Sequence, residues 1–256
     1  MNTRVVLRLS SKTRPFRILV FLPLLFAPAS SSLAGPLETE AAALRAKCLA
    51  NAGRLNSLSL VTAVSIEPLT GKGVTAGVAR QGRDRSLWSR AKGKLKYAKV
   101  DGAPLAYVAD TKALTLTTAA ESGTVWTEAV TADQAEALGT PFPGWLWRPA
   151  GLVPAAPAEV RADGGDLVLV SSLKSPRREV WLDRSTGCVR KYTETDATGR
   201  VVRTVTCSDW SRQDGVWMPG TVDEVIQGTE NGVHRVIRFE TRVANPALSD
   251  SDFRLP

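Results

Sequence analysis

Beyond residue 58 the chain loses any helical period and falls into short runs of alternating polar and apolar residues, each closed by Gly, Pro, Asp or Lys. Ser59–Glu67, Val74–Gln81, Ser86–Ala91, Leu95–Val100, Leu105–Ala109 and Leu114–Thr118 make a first series. Ala158–Arg161, Leu167–Ser172, Glu179–Asp183, Cys188–Thr195, Val201–Ser208, Thr221–Gln227 and Val233–Val243 make a second. A period of two puts successive side chains on opposite faces, and gaps this short leave no room for crossover helices, so the runs must pair antiparallel. Open sheets of more than about ten strands curl or close. The expected fold is therefore α+β, mostly β, with a curled sheet and a concave face; no internal repeat is visible.

Two helices are expected beside the strands. Within LETEAAALRAKCLANAGRLNSL, Leu37, Leu44, Cys48, Ala52 and Leu55 recur at helical intervals and form an apolar stripe. This helix, 37–55, is amphipathic and is the natural plug for a concave sheet. Thr131-Ala132-Asp133-Gln134 is a capping-box pattern that opens a short helix running to about Leu138.

The first 34 residues read as a cleaved export signal. Arg4, Arg8, Lys12, Arg14 and Arg17 make a basic leader without acids, Ile18–Ala29 is apolar, and Ser32-Leu33-Ala34 offers small residues before Gly35. The apolar run is shorter than the roughly 20 residues a membrane span requires. Residues 35–256 are then expected to form one exported, soluble domain. The whole chain carries 33 Lys+Arg against 25 Asp+Glu, and without the five basic residues of the leader the count is 28 against 25. That balance, with no basic cluster interleaved with aromatics, argues against nucleic-acid binding.

Catalytic residue sets are scarce. His234 is the only histidine, so a His-rich metal site is excluded, and no HExxH or CxxC occurs. Ser89-Arg90-Ala91-Lys92 and Ser171-Ser172-Leu173-Lys174 match S-x-x-K, but both fall in strands or at their ends, whereas the acylating motif needs Ser and Lys on one helical face. The glycines at 71, 73 and 77 precede no helix, and Asp250 with Asp252 lacks further calcium ligands. In a hairpin turning about Asp196–Gly199, Cys188 and Cys207 fall opposite each other, within reach of a cross-strand disulfide in an oxidising compartment. Cys48 is then a buried thiol, although a bridge from Cys48 to either partner stays open.

Seven tryptophans stand out against six Phe and three Tyr. Trp181, Trp210 and Trp217 read as core. Trp145 and Trp147 lie in the Pro-rich loop PFPGWLWRP, which carries too much apolar area to float free. It reads as a lid over an apolar cavity or as a plug of the core.

Five phrases run in order along the chain: GVARQGR (77–83), VDGAPLAYVAD (100–110), VWLDRSTG (180–187), CSDW with DGVWMP (207–219), and NPALSDSDF (245–253). Together with the leader and first helix, they resemble the periplasmic lipoprotein-carrier superfamily, the LolA/LolB-like and RseB-like proteins. The resemblance implies an unclosed antiparallel half-barrel of about 11 strands with helices over its concave face. It implies a periplasmic carrier that holds acyl chains of lipoproteins or lipids and sorts them toward the outer membrane, with no enzyme activity and no cofactor. The implied partners are a lipidated protein or lipid and the lipoprotein machinery of the inner or outer membrane. The RseB-like branch offers an alternative, an envelope-stress module that senses lipidated ligands. In the carriers an arginine on an early strand gates the cavity, and Arg80 or Arg83 is its counterpart, although no proline follows either. The candidate cavity residues are Trp88, Tyr97, Tyr107, Trp126, Trp145, Trp147, Arg80 and Arg83.

Overall fold

A computed structural model describes residues 35–69, 79–101, 105–119, 123–172, 176–227 and 232–255. The leader, the glycine-rich 71–77 stretch and most of Val74–Gln81 lie outside the described residues. Helix α1 (Pro36–Gly53) opens with Pro at its first position and Glu38 in its first turn, both suited to an N-terminus. Ala41, Leu44 and Cys48, spaced three and four apart, are its buried face.

Among the described residues, thirteen strands build one antiparallel sheet. In chain order they are β1 (Ser57–Leu69), β2 (Arg80–Ser89), β3 (Lys94–Lys99), β4 (Ala106–Asp110), β5 (Thr115–Ala119), β6 (Val125–Ala129), β7 (Glu159–Asp163), β8 (Asp166–Val170), β9 (Arg177–Asp183), β10 (Val189–Thr195), β11 (Val201–Ser208), β14 (Thr221–Ile226) and β15 (Gly232–Ala244). Between β11 and β14, β12 (Ser211–Gln213) and β13 (Val216–Met218) form a separate hairpin. The order across the sheet is β6-β5-β4-β3-β2-β1-β15-β14-β11-β10-β9-β8-β7, so β6 and β7 are its two edges and do not pair with each other. The sheet is an open half-barrel.

The edges are joined instead by residues 130–158. Helix α2 (Ala132–Leu138), the single turn α3 (Gly144–Trp147) and the 3-10 turn Pro149–Gly151 carry the chain from one edge to the other as a strap. Its start is the expected capping box: Thr131 Oγ1 accepts from Gln134 N, and the Gln134 side chain accepts from Thr131 N. Trp147, Leu152 and Val153 from the strap join Leu44 and Cys48 of α1 and Leu58, Leu60, Leu169, Leu182 and Tyr192 of the sheet in one core cluster. The strap is therefore anchored as well as covering.

Register identifies the covered face. One row runs Leu60, Ser86, Tyr97, Tyr107, Thr118, Trp126 from the centre to the β6 edge. Another runs Arg235, Glu224, Val205, Tyr192, Val180, Leu169, Val160 toward the β7 edge. Helix α1 packs toward the second half, against β7 and β13, and meets the first half only at its C-terminal end, where the Ala52 and Gly53 carbonyls accept from Arg90. Gly187 has φ +75°, and a Cβ there would lie 2.8 Å from Lys47 Cβ and 3.1 Å from the Leu44 carbonyl, so glycine is required where the β9–β10 turn meets the helix. The same turn brings Arg184 onto Glu40 through paired hydrogen bonds of 2.7 and 2.6 Å. Asn51 fastens the other end to β13, accepting from Trp217 N at 2.7 Å and donating to its carbonyl at 3.0 Å.

The structure corrects several expectations. The edge strand β6, the β12–β13 hairpin and α3 were not expected, and β2 starts at Arg80 rather than Ser86. Trp181 is half-buried on the convex face, where its indole donates to Asp163 at 2.8 Å. The Cys188–Cys207 disulfide is not formed, and all three cysteines are buried free thiols. The reason is register: the turn pairs Thr195 with Val201, one residue off symmetry about Asp196–Gly199, and a bulge between Glu194 and Thr195 adds a second. Lys191 therefore pairs with Thr206, and the next position across from Cys207 is Arg190, two residues past Cys188.

Candidate functional site

Beneath the strap, on the half of the sheet that α1 leaves open, lies a cavity of about 240 Å³. Its floor is aliphatic at Leu60, Val64, Leu95 and Ile237 and aromatic at Tyr97 and Tyr107. These side chains come from four different strands, β1, β3, β4 and β15, and meet only because the register aligns them on one face. The roof is the strap itself, with Ala137, Leu138, Thr140, Phe142 and Gly144. Tyr97 and Tyr107 stack with ring centres 5.1 Å apart and planes 21° apart.

One polar feature interrupts the floor. Tyr97 Oη donates to Asp84 Oδ1 at 2.6 Å. Burial raises the phenol pKa of Tyr97 first, and the Asp84 carboxylate adds to the rise, so the ring stays a neutral donor. Burial also raises that of Tyr107. The hydrogen bond gives the half-buried Asp84 carboxylate a partner, and the phenols supply no ionised nucleophile near pH 7.

A second space of about 350 Å³ shares Ala137, Thr140 and Gly144 with the first. Its wall is charged. Arg178 donates to Glu194 at 2.9 and 2.6 Å, and Arg203 donates to Glu224 at 2.7 Å. Arg235 closes on the other oxygen of Glu224, at 2.8 Å through Nε. The Glu224 side chain is only 3% exposed, so a buried carboxylate is held between two guanidinium groups from the neighbouring strands. That ladder reaches the strap: the Arg235 guanidinium lies 4.4 Å from the Phe142 ring centre, and that of Arg203 lies 5.2 Å from Tyr192, on which Trp145 packs edge-on at 5.1 Å.

The candidate residues from the sequence separate into distinct places. Tyr97 and Tyr107 line the cavity. Trp145 lines the second space beside it. Trp88 is buried in the core under the same face, and Trp147 is 4% exposed with its ring 6.1 Å from Phe239, so the tryptophan loop plugs the core at 147 and roofs a space at 142–145. Trp126 shares the face but stands 46% exposed on the edge strand β6, away from the cavity lining. Arg80 pairs with Ile66 at the exposed rim of that face. Arg83 points the other way: it sits opposite Ala63 on the convex face and binds Glu240 at 2.9 and 2.7 Å. An odd-numbered β2 residue cannot face a cavity lined by Asp84 and Ser86. Sequence reasoning missed Asp84, Phe142 and the Glu224 ladder; a correct register would have pointed to Asp84.

His234 Nε2 lies 3.2 Å from Asp223 Oδ1 at a half-buried position, paired and remote from the cavity lining. Ser89 Oγ accepts from Lys92 N at 3.3 Å, a turn contact rather than an acylation pair. Among the described residues, no cluster of His, Cys, Asp or Glu is placed to hold a metal ion, and no helix is long and apolar enough to cross a membrane.

Among solved structures, a LolA superfamily protein from Nitrosomonas europaea matches this chain with TM-score 0.54 and 12% identity, over 82% of this chain and 97% of that one. The fold is LolA-like. A Vibrio parahaemolyticus domain described as an outer membrane lipoprotein-sorting protein matches with TM-score 0.50 and 14% identity, over 83% of this chain and 95% of that one. No family model matches the chain, and no curated protein matches it in sequence. At such low identity what the LolA-like proteins share with this chain is the open half-barrel, so function must be argued from the chain's own cavity.

Proposed function

We propose that this protein is an exported, periplasmic carrier that shelters an acyl chain of a lipidated protein or lipid beneath the strap, without catalysing a reaction. The observation that carries the reading is the cavity floored by Leu60, Val64, Leu95, Ile237 and the stacked tyrosines and roofed by a segment tied to both sheet edges. Burial of a methylene group contributes about 0.8 kcal/mol, so ten of them supply about 8 kcal/mol before the cost of association. No reacting group is needed for that. Ligand sites for whole small molecules span roughly 300–1,000 Å³. The cavity of about 240 Å³ and the space of about 350 Å³ that adjoins it across Ala137, Thr140 and Gly144 together reach that range.

The LolA-like fold and the description of the Vibrio relative as a lipoprotein-sorting protein support this reading. The test is displacement of a fluorescent fatty acid by a diacylated lipopeptide, with the exported protein and a Val64→Trp variant that fills the cavity. Expected is saturable binding that the filled variant weakens about tenfold or more, the equivalent of about 1.4 kcal/mol. Equal binding by both forms, or none by the native protein, overturns the proposal.

A further inference from the structure

On the outer face of the hairpin that walls the cavity, Arg85, Lys96, Lys99 and Arg254 surround a shallow groove of about 390 Å³ whose other lining residues are Leu87, Ala98, Leu105 and Ala106. Cross-strand pairing puts Leu87 opposite Lys96 and Arg85 opposite Ala98, while Lys99, at the end of β3 opposite Asp84, and Arg254 of the C-terminal segment reach the groove from its rim. No acid lines the groove. Among the described residues, Arg85, Lys99 and Arg254 form no ion pair, whereas Arg83, Arg161, Arg178 and Arg203 elsewhere on the sheet each hold a glutamate. Of the acids around the groove, Asp84 faces the cavity and takes Tyr97, Asp250 takes Lys92, and Asp252 accepts from Ser249; Arg254 and Lys96 act on Asp250 and Asp252 only at longer range, and Asp101 follows Lys99 by two residues. Leu105 is also 39% exposed.

We infer that this patch docks the protein on an anionic bilayer surface. Interleaved cations and short aliphatics suit lipid phosphates and the shallow apolar boundary between headgroups and chains. An acidic protein fits less well. The backbone of β2 and β3 is already paired on both sides, so the groove offers no free strand edge for an extended peptide to add to. The location adds a reason, since β3 and β4 present Tyr97 and Tyr107 to the cavity from the other side. Docking there holds the cavity wall against the surface from which an acyl chain enters or leaves. This extends the carrier proposal, and its readout does not depend on acyl binding.

The test is flotation of the exported protein, its N-terminus fixed by mass spectrometry, with vesicles of phosphatidylcholine alone or mixed with phosphatidylglycerol. The expected result is flotation with the anionic vesicles only, lost at high salt. Arg85→Gln with Lys99→Gln is expected to weaken partition roughly 25-fold, about fivefold per cation, with fatty-acid displacement and the thermal midpoint unchanged. Flotation equal on neutral vesicles, or undiminished in the double variant, overturns the inference. So does capture on immobilised polyglutamate without flotation, which assigns the patch to an acidic protein. Flotation in a protein that fails to bind fatty acid leaves the docking surface standing and removes the carrier reading.

Discussion

Trp147→Ala tests whether the strap is anchored where the structure places its anchor. The indole is 4% exposed, meets Phe239 edge-on at 6.1 Å, and belongs to the core cluster of α1 and the sheet. Truncating a buried tryptophan costs about 3–5 kcal/mol. Part of that is returned, because Trp147 Nε1 is buried without a hydrogen-bond partner among the described residues and its deletion removes a desolvation penalty of about 1–3 kcal/mol. From the central values the net expectation is a loss of about 2 kcal/mol, which for a domain of this size lowers Tm by roughly 4–8 °C. Trp147→Phe keeps most of the ring area while deleting the same N–H, so its cost is expected within about 1 kcal/mol. Urea unfolding followed by circular dichroism measures both. A change below about 1 kcal/mol for Trp147→Ala refutes the anchor, since core truncations exceed that. A phenylalanine variant as damaged as the alanine one refutes the argument from the unpaired indole.

Three other perturbations follow from the same structure. Glu224→Met leaves Arg235 without a carboxylate and Arg203 with only Glu194 at 3.8 Å, and is expected to cost about 3 kcal/mol, while adding Arg235→Met recovers part of the loss, a coupling that a double-mutant cycle in urea reads directly. Phe142 is 47% exposed and held chiefly over Arg235, so Phe142→Ala is expected to change stability by less than about 1 kcal/mol. Stopped-flow measurement of fatty-acid release from that variant is expected to show faster dissociation; an unchanged rate denies Phe142 a place in the roof. Burial pushes the Cys48 and Cys188 thiols up to about 12 and about 11 from 9.0, and raises that of Cys207 as well. Their folded pKa values lie above the unfolded one. Stability is thus full below about pH 9 and is lost as pH rises through 11 and 12, because the unfolded chain ionises first. Iodoacetamide at pH 8 is expected to leave the native thiols unmodified and to label all three in denaturant.

The strands and the capping box were legible because each depends on local signals. Period-two alternation exposed β1, β9 and β11, and Thr131 with Gln134 marked α2 before any contact was known. The edge strand β6 escaped since every residue in it is exposed and nothing forces alternation on VWTEA. The one-turn α3 is too short to show a period. The disulfide expectation failed on two one-residue offsets, a turn that pairs Thr195 with Val201 and a bulge beside it in β10–β11, neither of which symmetric counting about Asp196–Gly199 anticipates. Arg83 was grouped with Arg80 for the same reason, since only a fixed register separates the faces of β2. The cavity gathers side chains from five strands and the strap, and no local pattern reports such long-range company. Asp84 shows the difficulty best: in QGRDRSLW it reads as a solvated acid between arginines, and only the curl of the sheet turns it inward to Tyr97.

The central claim is that the space between the tyrosine-lined floor and the strap receives an acyl chain. A crystal structure with a fatty acid brominated near its methyl end measures this directly through the anomalous signal of the bromine. The predicted result is a bromine peak between Leu60, Tyr97 and Phe142, absent from the Val64→Trp variant. A peak confined to the outer surface, or none from ligand-saturated crystals, contradicts the claim.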